Sequence, residues 1–225
     1  MSKIQEALDK IRAGDASRQT GQVHGAAMTG GESKAALSGG GLTSNASSAV
    51  AEIAQMQELG YRTDQELADL RTISGSMQDD RVLNSLRELR TSVLQRLDPE
   101  KRIIMVTAAN EGGGASFVAR NLAAAIALDE GKTALVIDCN LSNPEISKLA
   151  ECKSNPGLRG YLKDASINPE DIICRTGVAR LRIIPAGDEA EEVHEFFTSL
   201  RLRQLLIELK RRYPERYIVI DAPSI

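Results

Sequence analysis

The stretch from Ile103 to Leu122, IIMVTAANEGGGASFVARNL, constrains the fold of this chain more than any other. It begins with an apolar, partly β-branched run over 103–107, which is typical of a buried strand. A small Gly-rich turn follows at 108–114, and the residues from Ala115 onward have the apolar stripe of a helix. A strand, a Gly-rich turn and a helix in this order form a phosphate-binding loop, because the N–H groups of the turn and the helix N-terminus converge on an anion.

The spacing of this loop matches a nucleotide-binding loop except at one position. Four residues separate Ala109 from Gly114, and Ser116 stands where a hydroxyl would meet magnesium. The residue before that serine is normally a lysine that reaches the β- and γ-phosphates, and in this chain it is Ala115. We predict a site for Mg-ATP or Mg-ADP, bound weakly or not at all, at Gly112, Gly113, Gly114, Ala115, Ser116 and Phe117.

Composition excludes several classes of protein. The chain has 225 residues, an apolar content of 42% and a formal net charge of −3, so it can form a core but has no general attraction for nucleic acid or anionic lipid. It has no apolar run of about 18 residues and no secretory segment, so we expect a cytoplasmic protein that does not insert into a membrane. Cys139, Cys152 and Cys174 are odd in number and lack metal-binding spacing, so we expect ordinary thiols.

The N-terminal part of the chain differs in composition from the rest. Residues 1–12 have the pattern of a short amphipathic helix, although a frayed terminus fits the same residues. Residues 13–48 are rich in Gly, Ser, Ala and Thr, which indicates a flexible linker. We predict a helical extension over 49–78 and then one domain over 79–225, which opens with a helix that ends at Asp98-Pro99.

Strands and helices alternate from Lys101 onward. Further strands are predicted at 134–137, 181–184 and 217–220. Between the strands we expect a C-cap at Gly131, a short helix within 143–154, a turn at Pro156-Gly157, short helical or irregular pieces at 158–162 and 169–173, and a long helix over 191–213. This alternation predicts an α/β fold with a doubly wound, mostly parallel sheet, whose site lies at the carboxyl ends of the strands.

Two aspartates are predicted to meet the loop at that edge. Asp138 ends the strand ALVID, and Asp221 ends the strand YIVID. A single aspartate after a strand is more often a turn or cap residue, but two of them beside a loop of this spacing favour a site. A nucleotide-bound magnesium needs a hydroxyl and a nearby carboxylate, so we predict Ser116, Asp138 and Asp221 as metal ligands and the two aspartates as catalytic residues.

Three segments together resemble the bacterial tyrosine kinases (BY-kinases) of capsule and exopolysaccharide assembly. They are VTAANEGGGASFVARNLAAAIA, LVIDCNLSNP and RYIVIDAPS, which stand where this family has its Walker A, Walker A′ and Walker B motifs. The likeness covers about residues 79–225, and the opening MSKIQEALDKI is similar to the N-terminus of autokinases linked to exopolysaccharide and exosortase loci. The resemblance implies a P-loop NTPase fold and an ATP-dependent protein-tyrosine kinase ancestry.

The resemblance also implies partners. The family works with a membrane polysaccharide copolymerase or adaptor, which would place this chain at the inner membrane through a protein partner. A helix motif that supports ring assembly in the family stands here as Asn84, Arg87 and Arg90, so Arg87 and Arg90 are candidates for a homo-oligomer interface although the usual acid is missing. A complete domain of the family continues beyond its Walker B motif, whereas this sequence ends at Ile225, so we expect the C-terminal part of the domain to be absent from it.

The departures from the family pattern concern charge. Walker A has Ala115 in place of lysine, and Walker A′ has Asn140 in place of its second aspartate and Ser142 in place of its arginine. We therefore expect little or no kinase activity and a regulatory or scaffolding role in exopolysaccharide assembly. Two alternatives remain: an active autokinase, for which Arg120 is the nearest substitute cation although we expect it to point away, and a partitioning-type ATPase switch, whose extra lysine would stand at Asn110.

Overall fold

The computed structural model describes residues 60–77, 80–98, 100–152, 155–187 and 196–225, with only the backbone at Asp80 and Phe196. The predicted helix at 1–12, the linker at 13–48 and the first part of the extension therefore lie outside the described residues. Within the described part of the chain, no helix is both long enough and apolar enough to cross a membrane.

Helices and strands alternate along the described residues in the predicted order. The α-helices are α1 (Asp64–Asp69), α2 (Asp80–Arg96), α3 (Ala115–Ala127), α4 (Gly157–Lys163) and α5 (Leu200–Arg212). The strands are β1 (Ile103–Val106), β2 (Thr133–Asp138), β3 (Cys174–Arg175), β4 (Leu181–Ile184) and β5 (Arg216–Asp221). Short 3-10 helices occur at Ile146–Leu149, Pro169–Ile172 and Phe196–Thr198.

The strands form one mostly parallel sheet in the order β1-β5-β2-β4-β3. Only β3 runs antiparallel to its neighbour, and this two-residue strand was not predicted. β2 lies in the middle, and all six of its residues are buried. The doubly wound α/β fold expected from the sequence is confirmed, and it brings the carboxyl ends of β1, β5, β2 and β4 to one edge.

Both faces of the sheet are covered, because successive strand residues alternate between two apolar clusters. Val136, Ile183 and Val219 belong to the cluster that contains the buried faces of α2 and α3. Leu135, Ile137 and Ile218 belong to the cluster that contains α4 and α5. The side of α3 toward the sheet is rich in buried alanines, which allows the helix that follows the loop to pack close to the strands.

The described part of the extension packs on the domain. α1 begins with a capping box formed by Thr63 and Glu66. Residues 71–73, which follow α1, are held against α3 by Asn121. The Oδ1 of Asn121 accepts from the N–H of Ile73 at 2.8 Å, and its Nδ2 donates to the carbonyl of Arg71 at 2.9 Å. Since Ile73 is only 2% exposed, this part of the extension belongs to the core next to the loop helix.

Local structure differs from the prediction around two helix ends. Gly131 does not cap α3, because Leu128 is the C-cap and Asp129 accepts from the N–H of Gly131 at 3.2 Å in the turn that follows. The predicted long helix begins at Leu200 within the described residues, because Ser199 is extended and caps α5 through the N–H of Leu202. Within the described part of the extension, the only α-helix is α1.

The segment after β2 also differs from the prediction. The helix expected within 143–154 is a 3-10 helix of four residues, Ile146–Leu149. The predicted turn at Pro156-Gly157 is the start of α4. Gly157 has a φ of +58°, and a Cβ there would lie 2.3 Å from the backbone nitrogen of Gly187, so only glycine allows these two segments to meet.

The expectation of three ordinary thiols is wrong for two of them. Cys152 and Cys174 form a disulfide that closes a segment of 22 residues, and only Cys139 is free and buried. The bond joins the end of the segment that carries the 3-10 helix Ile146–Leu149 to strand β3. Spacing alone could not reveal this pair, because the two cysteines become neighbours only when β3 is placed at the sheet edge.

Candidate functional site

The Gly-rich loop has the shape of an anion-binding loop. It connects the end of β1 to the start of α3, and Gly112 and Gly114 have φ values of 74° and 83°, which glycine adopts without strain. Gly113 has no room for a side chain, since a Cβ would lie 2.8 Å from that of Ala108. Gly114 supplies no side-chain cap, so the first N–H groups of α3 are left for water or a ligand.

A cavity of about 890 Å³ opens over this loop. The predicted nucleotide-binding residues all line it, namely Gly112, Gly113, Gly114, Ala115, Ser116 and Phe117. Asn140, Glu145 and Lys148 line it from the segment after β2, and Arg71 lines it from the extension. Residues 222–224 line it after β5, so the loop and the segments after β2 and β5 all contribute.

The two predicted aspartates end neighbouring strands and are paired in register across β2 and β5. Both are fully buried. Neither Asp138 nor Asp221 is among the residues that line the cavity, although Asn140 and Ala222 beside them are. The carboxylates therefore lie behind the cavity wall, and their roles as catalytic residues and metal ligands stay predictions.

Asp221 faces the loop. Burial raises the pKa of its carboxyl, whereas the Ser116 side chain and the Arg120 guanidinium act in the opposite direction. Neither carboxylate oxygen has a hydrogen-bond partner of normal geometry among the described residues. A buried carboxylate without partners is costly, so this group retains an unfilled capacity to accept hydrogen bonds or to bind a cation.

Asp138 is held by the segment that follows it. Its Oδ2 accepts from the N–H of Ser147 at 2.9 Å and from the Ser147 hydroxyl at 2.7 Å. The same hydroxyl accepts from the N–H of Ala186 at 2.8 Å, which links the ends of β2 and β4. Burial raises the pKa of Asp138 to about 7, the bonds from Ser147 oppose that shift, and the nearby Asp221 adds to it.

Arg120 does not point away from the loop, as the sequence had led us to expect, but lines the cavity. The physical reason is helix geometry: Arg120 is four residues after Ser116, so the two side chains share one face of α3. Arg120 is only 6% exposed, its Nη2 donates to the carbonyl of Arg71 at 3.4 Å, and its Nε is buried without a partner.

The candidate oligomer residues lie on α2. Arg87 is exposed, whereas Arg90 is half buried and donates from Nη1 to the carbonyl of Ala125 at 3.1 Å. Arg90 therefore fastens α2 to the loop helix within this chain. Their part in a homo-oligomer stays a prediction.

Sequence reasoning missed three residues at this edge. Ser147 carries no motif and reaches Asp138 only because a 3-10 helix folds back after β2. Arg71 comes from the extension, and Lys148 lies in the segment after β2; both line the cavity. The sequence offered no signal for these three residues, whereas the i, i+4 relation to Ser116 was an available signal for the direction of Arg120.

The residues present fit a magnesium-bound nucleotide in part. The loop amides and the uncapped start of α3 suit a phosphate, and Ser116 with the unpaired carboxylate of Asp221 suits magnesium. Among the described residues no cluster of three or more His, Cys, Asp or Glu side chains could hold a metal ion by itself. The ion would therefore depend on the phosphates of the nucleotide for further ligands.

No protein-family model matches the chain. The chain is 30% identical over 138 residues to the tyrosine-protein kinase CpsD of Streptococcus agalactiae, which covers 61% of the chain and 58% of CpsD. It is 29% identical over 147 residues to the tyrosine-protein kinase etk of Escherichia coli K12, which covers 65% of the chain and 20% of etk. The chain thus spans only part of the relatives it matches.

Solved structures agree with the sequence relatives. The tyrosine kinase domain of BceF has 32% sequence identity and a TM-score of 0.59, and the match covers 72% of this chain and 64% of that one. The kinase domain of Escherichia coli ETK has 25% identity and a TM-score of 0.58, covering 76% of this chain and 65% of that one. The curated relatives are bacterial tyrosine kinases and the solved neighbours are kinase domains of the same kind, so the resemblance indicated by the sequence motifs is confirmed.

Proposed function

We propose that this chain is a BY-kinase-like protein that has lost efficient phosphoryl transfer and acts as a regulator or scaffold in exopolysaccharide assembly. The observation that carries the proposal is Ala115, which occupies the last loop position and lines the cavity where the family has a lysine. Asn140, which also lines the cavity, adds to it because an amide cannot act as a base.

The energetic cost of these changes is large. A magnesium-bound nucleotide supplies a phosphoryl group, and the protein contributes to its transfer almost entirely by positioning and charge neutralisation. Removing one preorganised donor at such a site costs about 2.7–4 kcal/mol, or about 10²–10³ in rate. Removing a general base costs about 10²–10⁴-fold, although the two losses need not add.

The partner in this proposal is a membrane polysaccharide copolymerase or adaptor, with residues 1–12 as the docking segment. A relative from Klebsiella pneumoniae is described as a putative tyrosine-protein kinase in the cps region, which supports a setting in polysaccharide assembly. Cross-linking in the native host, with the full chain and with a chain that lacks residues 1–12, tests the docking segment. Equal capture of a membrane protein by both chains would contradict it.

A phosphoryl-transfer assay tests the loss of activity. The full chain is incubated with Mg-[γ-³²P]ATP and a Glu–Tyr copolymer as acceptor, and Asp221→Ala serves as the matched blank. We expect the unaltered chain to label tyrosine no faster than the blank. Labelling above the blank would identify an active tyrosine kinase, which is the second candidate function, and would contradict the proposal.

A further inference from the structure

The buried guanidinium of Arg120 is the feature of the cavity that the family pattern does not account for. Arg120 lines the cavity, is only 6% exposed, and has a buried Nε without a hydrogen-bond partner. A buried cation normally has its donors satisfied, because leaving them unpaired is costly. No ion pair within 4 Å is formed by Arg120 in the described part of the chain, so its charge is also not neutralised by direct contact.

Helix geometry directs this charge toward the loop. Ser116 and Arg120 share one face of α3, and side chains on a helix tilt toward its N-terminus. The two Cα atoms are about 6 Å apart along the helix axis, a distance that the long side chain of an arginine spans. Arg120 and the start of α3, which Gly114 leaves uncapped, therefore line the same cavity.

The charges around Arg120 leave room for an anion. The nearby acidic groups are Asp221 and Glu145, and Arg71 is a nearby like charge. Glu145 already pairs with Lys148 at 2.9 Å, and Asp221 is coupled to Ser116. The cavity wall carries three basic side chains, Arg71, Arg120 and Lys148, and three acidic ones, Asp69, Glu111 and Glu145. Of these six only Arg120 is buried, so its charge is the least screened by water.

We propose that Arg120 replaces the missing loop lysine as a phosphate-binding residue, and that the cavity takes a diphosphate group. The loop amides hold one phosphate, and the planar guanidinium holds the next through paired N–H donors. The diphosphate is either part of a nucleoside diphosphate or free pyrophosphate. This inference goes beyond the proposed function and does not depend on it, because a site can bind a diphosphate whether or not it transfers a phosphoryl group.

Calorimetric titration of the full chain with Mg-ADP and with pyrophosphate tests the inference. Arg120→Gln removes the charge but keeps a donor for the carbonyl of Arg71, and Arg120→Met removes both. Arg203→Gln is the matched control, since it removes an arginine from an exposed position on α5. Ala115→Lys/Arg120→Gln moves the charge to the position that the family uses.

We expect the unaltered chain and Arg203→Gln to bind equally, Arg120→Gln to bind at least about tenfold more weakly, and the double variant to regain binding. Tighter binding of Mg-ADP than of pyrophosphate would identify a nucleotide as the source of the diphosphate, and the reverse would identify free pyrophosphate. Arg120→Gln that binds as well as the unaltered chain would overturn the inference and leave Arg120 as a tether of the extension.

Binding by the double variant alone, with none by the unaltered chain, would also overturn the inference. If Arg120→Met does not fold, Arg120→Gln decides by itself, provided that its thermal melting without ligand matches that of the unaltered chain. Failure of this inference is distinct from failure of the proposed function, since only the latter is read from tyrosine labelling.

Discussion

The ends of β5 and β2 carry the same residue type after the same kind of strand and use it differently. Asp221 is coupled to Ser116 and Arg120 at the loop, and both of its oxygens lack partners among the described residues. Asp138 is its partner in register, but one of its oxygens is bound by the N–H and the hydroxyl of Ser147. The segment after β2 thus supplies hydrogen bonds to one oxygen of its strand-ending aspartate, whereas none of the described residues does so for Asp221.

The contrast follows the resemblance read from the sequence. At the end of β5, where the chain matches the motif of the kinases that it resembles, an unsatisfied carboxylate lies next to the loop. At the end of β2, where Asn140 and Ser142 depart from that motif, the aspartate is bound to a neighbouring segment through Ser147. Three changes test this contrast, in order of decreasing effect on the free energy of unfolding.

The protonation of Asp138 should make stability depend on pH. Its pKa is raised to about 7 in the folded chain from an ordinary value of 3.8, so between these values the folded state binds more protons than the unfolded state. The free energy of unfolding should therefore fall as pH rises from about 4 to about 7, by on the order of 2–4 kcal/mol from this group. Urea denaturation at pH 5 and pH 8 measures the fall.

Asp138→Asn should remove most of that pH dependence, because the amide does not titrate. Asp221→Asn is the comparison variant. A pH dependence unchanged in Asp138→Asn would show that burial of this carboxyl does not govern it.

The disulfide holds the segment that binds Asp138. Cys152 lies three residues after the 3-10 helix Ile146–Leu149, and its bond to Cys174 closes a segment of 22 residues. Cys152→Ser should lower the free energy of unfolding by about 3 kcal/mol through the lost constraint on the unfolded chain. Reductant should produce the same loss in the unaltered chain and none in Cys152→Ser; equal responses of both would contradict the bond.

Ser147→Ala should have the smallest effect of the three changes, a loss of about 1–3 kcal/mol in the free energy of unfolding. It removes a donor to Asp138 and leaves the N–H of Ala186 without its acceptor. The pKa of Asp138 should rise further, because the Ser147 hydroxyl now lowers it. Carboxyl ¹³C NMR across pH 5–9 measures that shift, and a lower pKa in the variant would contradict the assigned contact.

Much of the fold was readable in the sequence, because the strands are apolar runs that must be buried in a parallel sheet. The predicted runs at 134–137, 181–184 and 217–220 became β2, β4 and β5 with differences of at most one residue at each end. The loop could also be predicted, since its tight backbone geometry requires glycines and these are visible in the sequence. Such features depend on residues that are adjacent in the chain.

The parts that were missed depend on contacts between distant segments. The Cys152–Cys174 bond requires β3, which is too short to have a pattern, and the bond from Ser147 to Asp138 requires a 3-10 helix that folds back. The direction of Arg120 was a different kind of error. The four-residue separation of Arg120 from Ser116 was known from the sequence, and the helix period places both side chains on one face.

Restoring the two charges would show whether phosphoryl transfer was lost through Ala115 and Asn140 on a scaffold that is otherwise kept. The measurement is the rate of tyrosine labelling by the unaltered chain and by Ala115→Lys/Asn140→Asp, with Mg-ATP and the same copolymer. We expect the double variant to label tyrosine at least about 10²-fold faster than the unaltered chain. Equal rates in the two chains, whether both active or both inactive, would contradict it.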